Sequence, residues 1–284
     1  MRYIGENSQA KVNEVILCYD DLGKESIPVI FIHGFPFDKS MWQPQMDFLK
    51  TTHRLISYDI RGFGKSTAGN EKISITLLAD DLVQLMDVLM IPKAVVCGLS
   101  MGGYILLNAL NRYPERFEAI ILADTQCIDD TPEGKEKRHT TIEQIQTLGL
   151  KEFAEVYVKN IFCEQTLQTN YEPVMEIKST ILSTSPETIT NTLLALAERY
   201  EMCSSLPEIS VPALVLYGME DKLIPLAQYE YLFNTIKGAT SYCIADAGHL
   251  SNLEQPKEFN HQVLNFLNGL HLTGKNKSKS ILQE

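Results

Sequence analysis

An apolar run at residues 95–97 ends in the sequence GLSMGG at residues 98–103, and a helical pattern begins immediately afterwards. The chain must therefore turn from a strand into a helix within a few residues, and glycines suit the crowded backbone of such a turn. A turn of this kind lifts the hydroxyl of Ser100 clear of its neighbours and lets the Met101 N–H point at a substrate oxygen. We predict that Ser100 is a nucleophile, provided that the fold places a base beside it.

Strands and helices alternate on both sides of this turn. Residues 28–32 form a nearly continuous β-branched and aromatic run, which is typical of a strand covered on both faces of a parallel sheet. Residues 76–89 carry apolar side chains at helical spacing. The alternation predicts an α/β fold with a parallel sheet and helices on both faces. Further strands are predicted at residues 12–19, 54–58, 119–123, 213–217 and 240–244, and further helices at 42–49, 225–234 and 256–267.

The alternation stops after residue 128. Residues 129–204 contain only helical patterns separated by Ser, Thr and Pro, so we predict a helical insertion that lies over the sheet as a cap. The predicted domains are an α/β core at residues 1–128 and 205–270, the cap at 129–204, and a polar C-terminal tail at 271–284.

Composition narrows the function classes. The formal net charge of −11 and the isoelectric point near 5.1 argue against nucleic acid or an anionic membrane as a partner. No apolar run approaches the roughly 18 residues of a membrane span, and the N-terminus lacks the apolar core of a signal peptide, so we expect a cytoplasmic protein. The six cysteines lie far apart without a Cys-x-x-Cys pair, so we expect buried free thiols rather than a zinc site or a disulfide scaffold. The sequence does not indicate an oligomeric state.

One glycine-containing segment resembles a nucleotide-binding loop. Residues 64–66 match the end of the phosphate-binding pattern, but that pattern requires glycine where this chain has Asp59. Gly62 and Gly64 are also too few for a dinucleotide-binding fingerprint. We therefore reject nucleotide binding here and interpret Asp59 and Arg61 as parts of a structural turn.

Four candidate site residues follow predicted strands. Ser100 follows the strand that ends at residue 98, Asp221 follows 213–217, His249 follows 240–244 and Phe35 follows 28–32. Because the carboxyl ends of parallel strands meet at one edge of a sheet, we expect these residues to converge. The predicted set is a nucleophile, a base and an acid in the chain order Ser, Asp, His.

The acid of this set has alternatives. Asp124 also ends a predicted strand, and Glu220 is adjacent to Asp221, so either could orient His249 instead. Asp246 lies too close to His249 along the same loop. We expect His33 to shape the neighbouring loop through local hydrogen bonds rather than to transfer protons.

Five short motifs stand at these strand ends: HGFP at 33–36, DIRGFGKS at 59–66, GLSMGG at 98–103, GMED at 218–221 and GH at 248–249. Over nearly the whole chain they resemble the α/β-hydrolase superfamily. The segments at 41–45, 123–125 and 131–134 are similar to its 3-oxoadipate enol-lactonase-like and carboxylesterase branch. The resemblance implies an α/β-hydrolase fold with a mostly parallel eight-stranded sheet, helices on both faces and a helical cap insertion.

The expected chemistry is hydrolysis of a small carboxylic ester or lactone. Ser100 would attack the acyl carbon while His249 accepts its proton, and Asp221 would hold the imidazole. The backbone N–H groups of Phe35 and Met101 would form the oxyanion hole, and water would cleave the acyl-enzyme. This chemistry requires neither a metal nor an organic cofactor.

Three further residues are candidates for the substrate pocket. Trp42 and Tyr104 fit equally well in the pocket and in the core. Arg138 could meet a substrate carboxylate, but its charged neighbours at residues 135–137 favour a solvated helix face.

Other functions share this fold. A dehalogenase or an epoxide hydrolase of the superfamily would carry aspartate at position 100, so Ser100 argues against both. A carbon–carbon bond hydrolase of ring-cleavage products, a perhydrolase side activity, and a receptor or signalling protein with slow turnover remain alternatives. Turnover of a simple ester separates the enzymes from the receptor.

Overall fold

The computed structural model describes residues 5–24 and 26–280, with side chains described as far as residue 270. Eight strands form one sheet in the order β1-β2-β4-β3-β5-β6-β7-β8. Strand β2 pairs antiparallel with both β1 and β4. From β4 onward in this order, each strand is parallel to the next. The strands are β1 (Gly5–Val12), β2 (Val15–Gly23), β3 (Val29–Ile32), β4 (Arg54–Tyr58), β5 (Ala94–Leu99), β6 (Phe117–Ala123), β7 (Ala213–Gly218) and β8 (Thr240–Ile244).

The helices connect and cover these strands. Every residue of the central strands β3 and β5 is buried, and side chains alternate between the two faces of a strand, so both faces of the sheet are covered. The predicted fold class is therefore confirmed. The helices are α1 (Gln43–Leu49), α2 (Ile75–Val88), α3 (Met101–Arg112), α4 (Pro132–Leu148), α5 (Leu150–Ile161), α6 (Glu164–Thr169), α7 (Tyr171–Ser183), α8 (Pro186–Ala197), α9 (Leu226–Thr235), α10 (Ser251–Glu254) and α11 (Pro256–Ser280).

The first strand differs from the prediction. Residues 12–19 were expected to form one edge strand, but the chain turns at Asn13 and Glu14 and makes the β1–β2 hairpin. Both residues have positive φ, 40° and 64°, the backbone conformation of a two-residue hairpin turn. The prediction missed β1 because its polar residues lie at the exposed edge of the sheet, where no apolar pattern is required.

Five helices, α4–α8, lie between β6 and β7, and we call residues 132–197 the insertion. A disulfide joins Cys127, just before the insertion, to Cys203, just after it. The expectation of free thiols is therefore wrong for this pair, although Cys18, Cys97, Cys163 and Cys243 are free. Because β6 and β7 are neighbours in the sheet, the chain leaves and returns at adjacent places, and residues 76 apart in sequence meet.

The C-terminal helix is also longer than predicted. We expected it to end at residue 267 and to be followed by a polar tail at 271–284, but α11 continues to Ser280. The last four residues of that tail lie outside the described residues. Among the described helices, none is both long enough and apolar enough to cross a membrane.

Candidate active site

Ser100 lies at the junction of β5 and α3, at the carboxyl edge of the sheet. Its φ is +52°, a conformation that is uncommon for a residue with a side chain. The backbone is held there because the Ser100 N–H donates to the Ala123 carbonyl at 2.9 Å and the Thr125 hydroxyl donates to the Ser100 carbonyl at 2.8 Å. These bonds from β6 and the loop after it fix the position of the Ser100 side chain.

Two glycines allow this turn to be so tight. A Cβ on Gly98 would lie 2.3 Å from the carbonyl oxygen of Gly102, and a Cβ on Gly102 would lie 2.3 Å from that of Ile32. Both contacts are with backbone, which cannot swing aside as a flexible side chain does. Any larger residue at either position would push α3 away from β5 and β3.

The three predicted reacting residues lie in direct contact. His249 Nε2 is 2.8 Å from Ser100 Oγ, and His249 Nδ1 is 2.7 Å from Asp221 Oδ2. Since the carboxylate accepts from Nδ1, the Nδ1 atom carries the proton and Nε2 is free to accept the serine proton. His249 is 2% exposed, so water competes little for these bonds.

Electrostatics keep Asp221 charged and His249 basic. Burial alone would raise the pKa of Asp221, but His249 and the hydrogen bonds that the carboxylate accepts hold it below the usual range. Burial alone would lower the pKa of His249, but the Asp221 carboxylate raises it above the ordinary value of 6.5. The pair therefore suits a base assisted by a fixed negative charge.

Asp124, the alternative acid, has other partners. Its carboxyl oxygens accept from the Gly218 N–H at 2.9 Å and from the Ser251 hydroxyl at 2.6 Å. Burial and the nearby charge of Asp221 raise the pKa of Asp124 to about 8. Asp124 thus links the loops that carry Asp221 and His249. Glu220, the other alternative, is exposed.

The prediction missed a tyrosine that contacts the acid. The Tyr229 hydroxyl on α9 donates to Asp221 Oδ2, the same oxygen that receives His249 Nδ1. Its ring stacks on Tyr217 with centroids 4.5 Å apart, which fixes the direction of the hydroxyl. No sequence pattern distinguishes Tyr229 from the other residues of the predicted helix at 225–234. Its contact with Asp221 arises only from the packing of α9 on β7.

A cavity of about 470 Å³ opens over Ser100 and His249. Phe35, Met101 and Tyr104 line it. Of the two interpretations of Tyr104, the structure therefore favours the pocket over the core. Met101 is the first residue of α3, where a helix leaves its N–H groups without internal acceptors. The insertion supplies most of the opposite wall, with Gly134, Lys137, Arg138, Thr141, Gln144, Leu148, Glu152, Phe153, Val156, Tyr157, Asn160, Leu193 and Leu196.

Trp42 does not belong to this cavity. Its side chain is fully buried between Phe31 and Phe259, with ring centroids 4.9 Å and 6.1 Å away. The pocket assignment of Trp42 is therefore wrong. The sequence could not decide this point, because an aromatic residue at the start of a helix suits the core and a pocket equally well.

Arg138 was expected on a solvated helix face, but its side chain lines the cavity. Its guanidinium binds Asp130, and Arg199 Nη1 contacts the same carboxylate at 2.7 Å. Burial alone would raise the pKa of Asp130, but the two guanidiniums lower it. Two cations thus share one anion beside the cavity. Within the described residues, no group of three or more His, Cys, Asp or Glu side chains is arranged to hold a metal ion.

The insertion is hydrogen-bonded to the loop that carries the histidine. The His249 N–H donates to the carbonyl of Ile161 at the end of α5, at 2.8 Å. The buried Glu254 carboxylate accepts from the Gly248 N–H and from the Cys163 N–H, both at 2.8 Å. The position of His249 therefore depends on the insertion as well as on the sheet.

Three other polar residues that the sequence singled out, His33, Asp59 and Arg61, make structural contacts. His33 Nε2 accepts from the Ile60 N–H and Nδ1 contacts the Gly34 carbonyl, each at 2.9 Å. Burial lowers the pKa of His33 to about 4, so the ring is neutral. Asp59 accepts from two backbone N–H groups, and Arg61 forms a buried ion pair with Asp81 at 2.6 Å.

The family profile described as alpha/beta hydrolase fold matches residues 27–256, which include strands β3–β8 and all three contacting residues. The chain belongs to this family. It is therefore a hydrolase of the α/β-hydrolase fold, and its curated relatives include enol-lactonases. It is 31% identical over 251 residues to 3-oxoadipate enol-lactonase 2 of Acinetobacter baylyi, covering 88% of this chain and 92% of the relative.

Solved structures of other members of the family are similar. A thermophilic esterase from Thermogutta terrifontis, determined with malate bound, has a TM-score of 0.89 and 34% identity over 93% of this chain and 99% of its own. The enol-lactonase from Burkholderia xenovorans has a TM-score of 0.86 and 30% identity over 92% of this chain and 100% of its own. This α/β hydrolase thus resembles both esterases and enol-lactonases along nearly its whole length.

Proposed function

We propose that this α/β hydrolase cleaves small carboxylic esters or lactones through an acyl-enzyme intermediate on Ser100. The observation that carries the proposal is the chain of two short contacts, 2.8 Å from Ser100 Oγ to His249 Nε2 and 2.7 Å from His249 Nδ1 to Asp221 Oδ2. The similarity to enol-lactonases and to an esterase supports this substrate class.

The proposed reaction has two halves. The Ser100 oxygen attacks the acyl carbon while His249 Nε2 takes its proton, and the N–H groups of Phe35 and Met101 stabilise the oxyanion. His249 then returns the proton to the departing alkoxide. Water attacks the acyl-serine in the same way, releases the acid and restores the Ser100 hydroxyl. Asp221 stabilises the imidazolium in both halves.

We further propose that the insertion acts as a cap that selects the substrate. It contributes most of the cavity wall opposite Ser100, with apolar side chains and the Arg138 guanidinium. An excess of positive charge beside Asp130 suits an ester or lactone that also bears a carboxylate. The volume of about 470 Å³ suits a small substrate.

A serine-directed fluorophosphonate tests the nucleophile. The probe should label Ser100, and Ser100→Ala should lose both the label and p-nitrophenyl acetate hydrolysis, with turnover falling by about four to six powers of ten. Ser183→Ala, which changes an exposed serine on α7, is the matched control and should behave as wild type. Undiminished hydrolysis by Ser100→Ala would exclude the mechanism, and very slow turnover by the wild type would favour the receptor alternative.

A further inference from the structure

One tyrosine of the insertion contacts the loop that follows β3 at the wall of the catalytic cavity, the space over Ser100 and His249. The Tyr157 hydroxyl donates to the Phe35 carbonyl at 2.9 Å, although the two residues are 122 positions apart in sequence. Both residues line the catalytic cavity. Phe35 supplies one of the two N–H groups of the proposed oxyanion hole. The insertion is therefore bonded directly to the backbone of a residue that the proposed mechanism uses.

Neighbouring rings fix the direction in which the Tyr157 hydroxyl points. The Tyr157 ring centroid lies 5.1 Å from that of Phe153, which is one turn earlier on α5, and 6.4 Å from that of Phe37. It meets the Phe35 ring edge-on, at 6.2 Å and 89°. Aromatic pairs prefer such edge-to-face geometry, so these contacts favour one orientation of the ring. Burial raises the pKa of Tyr157 above its ordinary value, so the hydroxyl keeps its proton and stays a donor.

The loop that carries Phe35 is also held from the sheet side. The Gly34 carbonyl accepts from the Phe37 N–H at 3.0 Å and lies 2.9 Å from His33 Nδ1. Because a peptide group is planar, these contacts orient the Phe35 N–H, which belongs to the same peptide group as the Gly34 carbonyl. The Tyr157 hydroxyl orients the next peptide group through the Phe35 carbonyl. The two peptide groups that flank the Cα atom of Phe35 are thus held from opposite sides.

The end of α5 also bonds to the loops of the acid and the base. The Lys222 ammonium, on the loop of the acid, donates to the Phe162 carbonyl at 3.2 Å. The His249 N–H donates to the Ile161 carbonyl at 2.8 Å. In both of these bonds, the segment at the end of α5 contributes a backbone atom. The bond from Tyr157 uses a side chain instead, so a substitution can remove that bond and leave the backbone of α5 unchanged.

We propose that Tyr157 is a positioning residue that keeps the Phe35 N–H directed at the oxyanion. It acts through Phe35: by holding the Phe35 carbonyl, it prevents this part of the loop from rotating. A donor that is already oriented stabilises the oxyanion at no cost of reorganisation during the reaction. The inference rests on the proposed function, because the oxyanion forms only when Ser100 attacks a carbonyl carbon. Turnover then depends on the insertion as well as on the sheet edge.

Inhibition by benzyl trifluoromethyl ketone tests this role. The Ser100 oxygen bonds to the ketone carbon, the carbonyl π bond opens to an oxyanion, and His249 keeps the serine proton. The corresponding alcohol has nearly the same shape but forms no adduct. The ratio of the ketone affinity to the alcohol affinity, here called the adduct ratio, therefore reports on the oxyanion hole and cancels changes in pocket shape.

Tyr157→Phe keeps the ring and removes the donor. We expect it to lower the adduct ratio and the kcat for p-nitrophenyl acetate each by about tenfold, the loss of one hydrogen bond, while KM changes less than twofold. Tyr171→Phe, which alters an exposed tyrosine on α7, is the matched control and should keep the wild-type adduct ratio and kcat. An unchanged adduct ratio in Tyr157→Phe would mean that the tyrosine only packs against its neighbours, and a change in KM alone would place it in substrate binding. Either result overturns the proposal.

A second variant guards against misfolding. If circular dichroism shows that Tyr157→Phe is unfolded, Phe153→Leu decides, because it leaves the hydroxyl in place but loosens the ring that carries it. Its adduct ratio should fall at least threefold, and an unchanged ratio would overturn the proposal. A wild type that the ketone does not inhibit would overturn both this inference and the proposed function. An inhibited wild type with an unchanged adduct ratio in Tyr157→Phe would overturn the inference alone.

Discussion

The carboxyl edge of the sheet and the insertion face each other across the catalytic cavity, but they hold their side chains in different ways. At the sheet edge, His249 and Asp221 are almost fully buried and are linked to Ser100 by bonds of 2.7 and 2.8 Å. On the insertion, Leu148 and Val156 line the cavity yet are 64% and 53% exposed. The first side is held by buried hydrogen bonds, whereas part of the second side is exposed.

The difference indicates a division of roles. Proton transfer requires reacting atoms within hydrogen-bond distance, which a network of buried bonds maintains. Recognition of a small substrate tolerates shifts in an apolar wall. We therefore expect substitutions at the sheet edge to act on turnover and substitutions on the insertion, Tyr157 excepted, to act on substrate preference and stability.

The largest effect should distinguish the two buried acids. Asp221→Asn should lower turnover by about four powers of ten, because the amide favours the wrong imidazole tautomer and removes the charge. Asp124→Asn should lower turnover by much less than Asp221→Asn, because Asp124 bonds to Gly218 and Ser251, whereas the imidazole Nδ1 bonds to Asp221. Steady-state kinetics on p-nitrophenyl acetate measure both. Equal losses in the two variants would show that the acid cannot be assigned from contact alone.

A smaller effect is expected at Tyr229. In the wild type, activity should decline as the pH falls through the pKa of His249, which Asp221 raises above 6.5, because the base must be neutral. Tyr229→Phe removes a donor from Asp221, so the carboxylate attracts the imidazolium proton more strongly. The acid limb should move to higher pH, with turnover about tenfold lower at neutral pH.

Tyr217→Phe is the matched control for Tyr229→Phe. It alters the other ring of the stack but leaves the hydrogen bond to Asp221 in place. Its pH profile should overlay that of the wild type. A profile of Tyr229→Phe that is unchanged in position, whatever its height, would mean that the tyrosine only fills space.

The insertion should respond through substrate preference. Arg138→Gln should raise the KM for an ester that carries a carboxylate by about tenfold, which is the loss of one partly exposed charge-assisted contact, and should leave acetate ester hydrolysis nearly unchanged. Lys151→Gln, which removes an exposed cation from α5, is the control. A similar change with both esters would place Arg138 in the support of the cavity rather than in recognition.

The smallest effect on turnover is expected from the disulfide. Cys127→Ala with Cys203→Ala should lower the free energy of unfolding by about 2–4 kcal/mol, because the bond closes a long loop, while turnover changes little. Denaturant unfolding measures the change, and Cys243→Ala, at a free half-buried thiol, is the control. If turnover fell as much as in Tyr229→Phe, the base of the insertion would also be needed to position the reacting side chains.

The disulfide also bears on the cytoplasmic location, which stays a prediction. Disulfides are rare in reducing compartments, so the state of Cys127 and Cys203 in cells distinguishes the two environments. Alkylation of the intact protein followed by mass spectrometry reads that state directly.

Much of the fold was predictable because its signals are local. The apolar run of β3 and the strand-to-helix turn at Ser100 each lie within a few consecutive residues. Asp221 and His249 could be placed because each follows a strand, and parallel strands end at one edge. Tyr229 and Glu254 could not be found in this way, since their partners lie on other elements and no short pattern marks them.

The sequence by itself determined the order along the chain of strands β3–β8, the position of the turn at Ser100 and the set of residues that end strands. Periodicity and chain order are sufficient for these features. Only the tertiary structure decided that Trp42 fills the core, that Arg138 lines the cavity and that Cys127 meets Cys203. Each of these depends on the distance between segments far apart in sequence, which is set by how the strands pair and how the insertion packs.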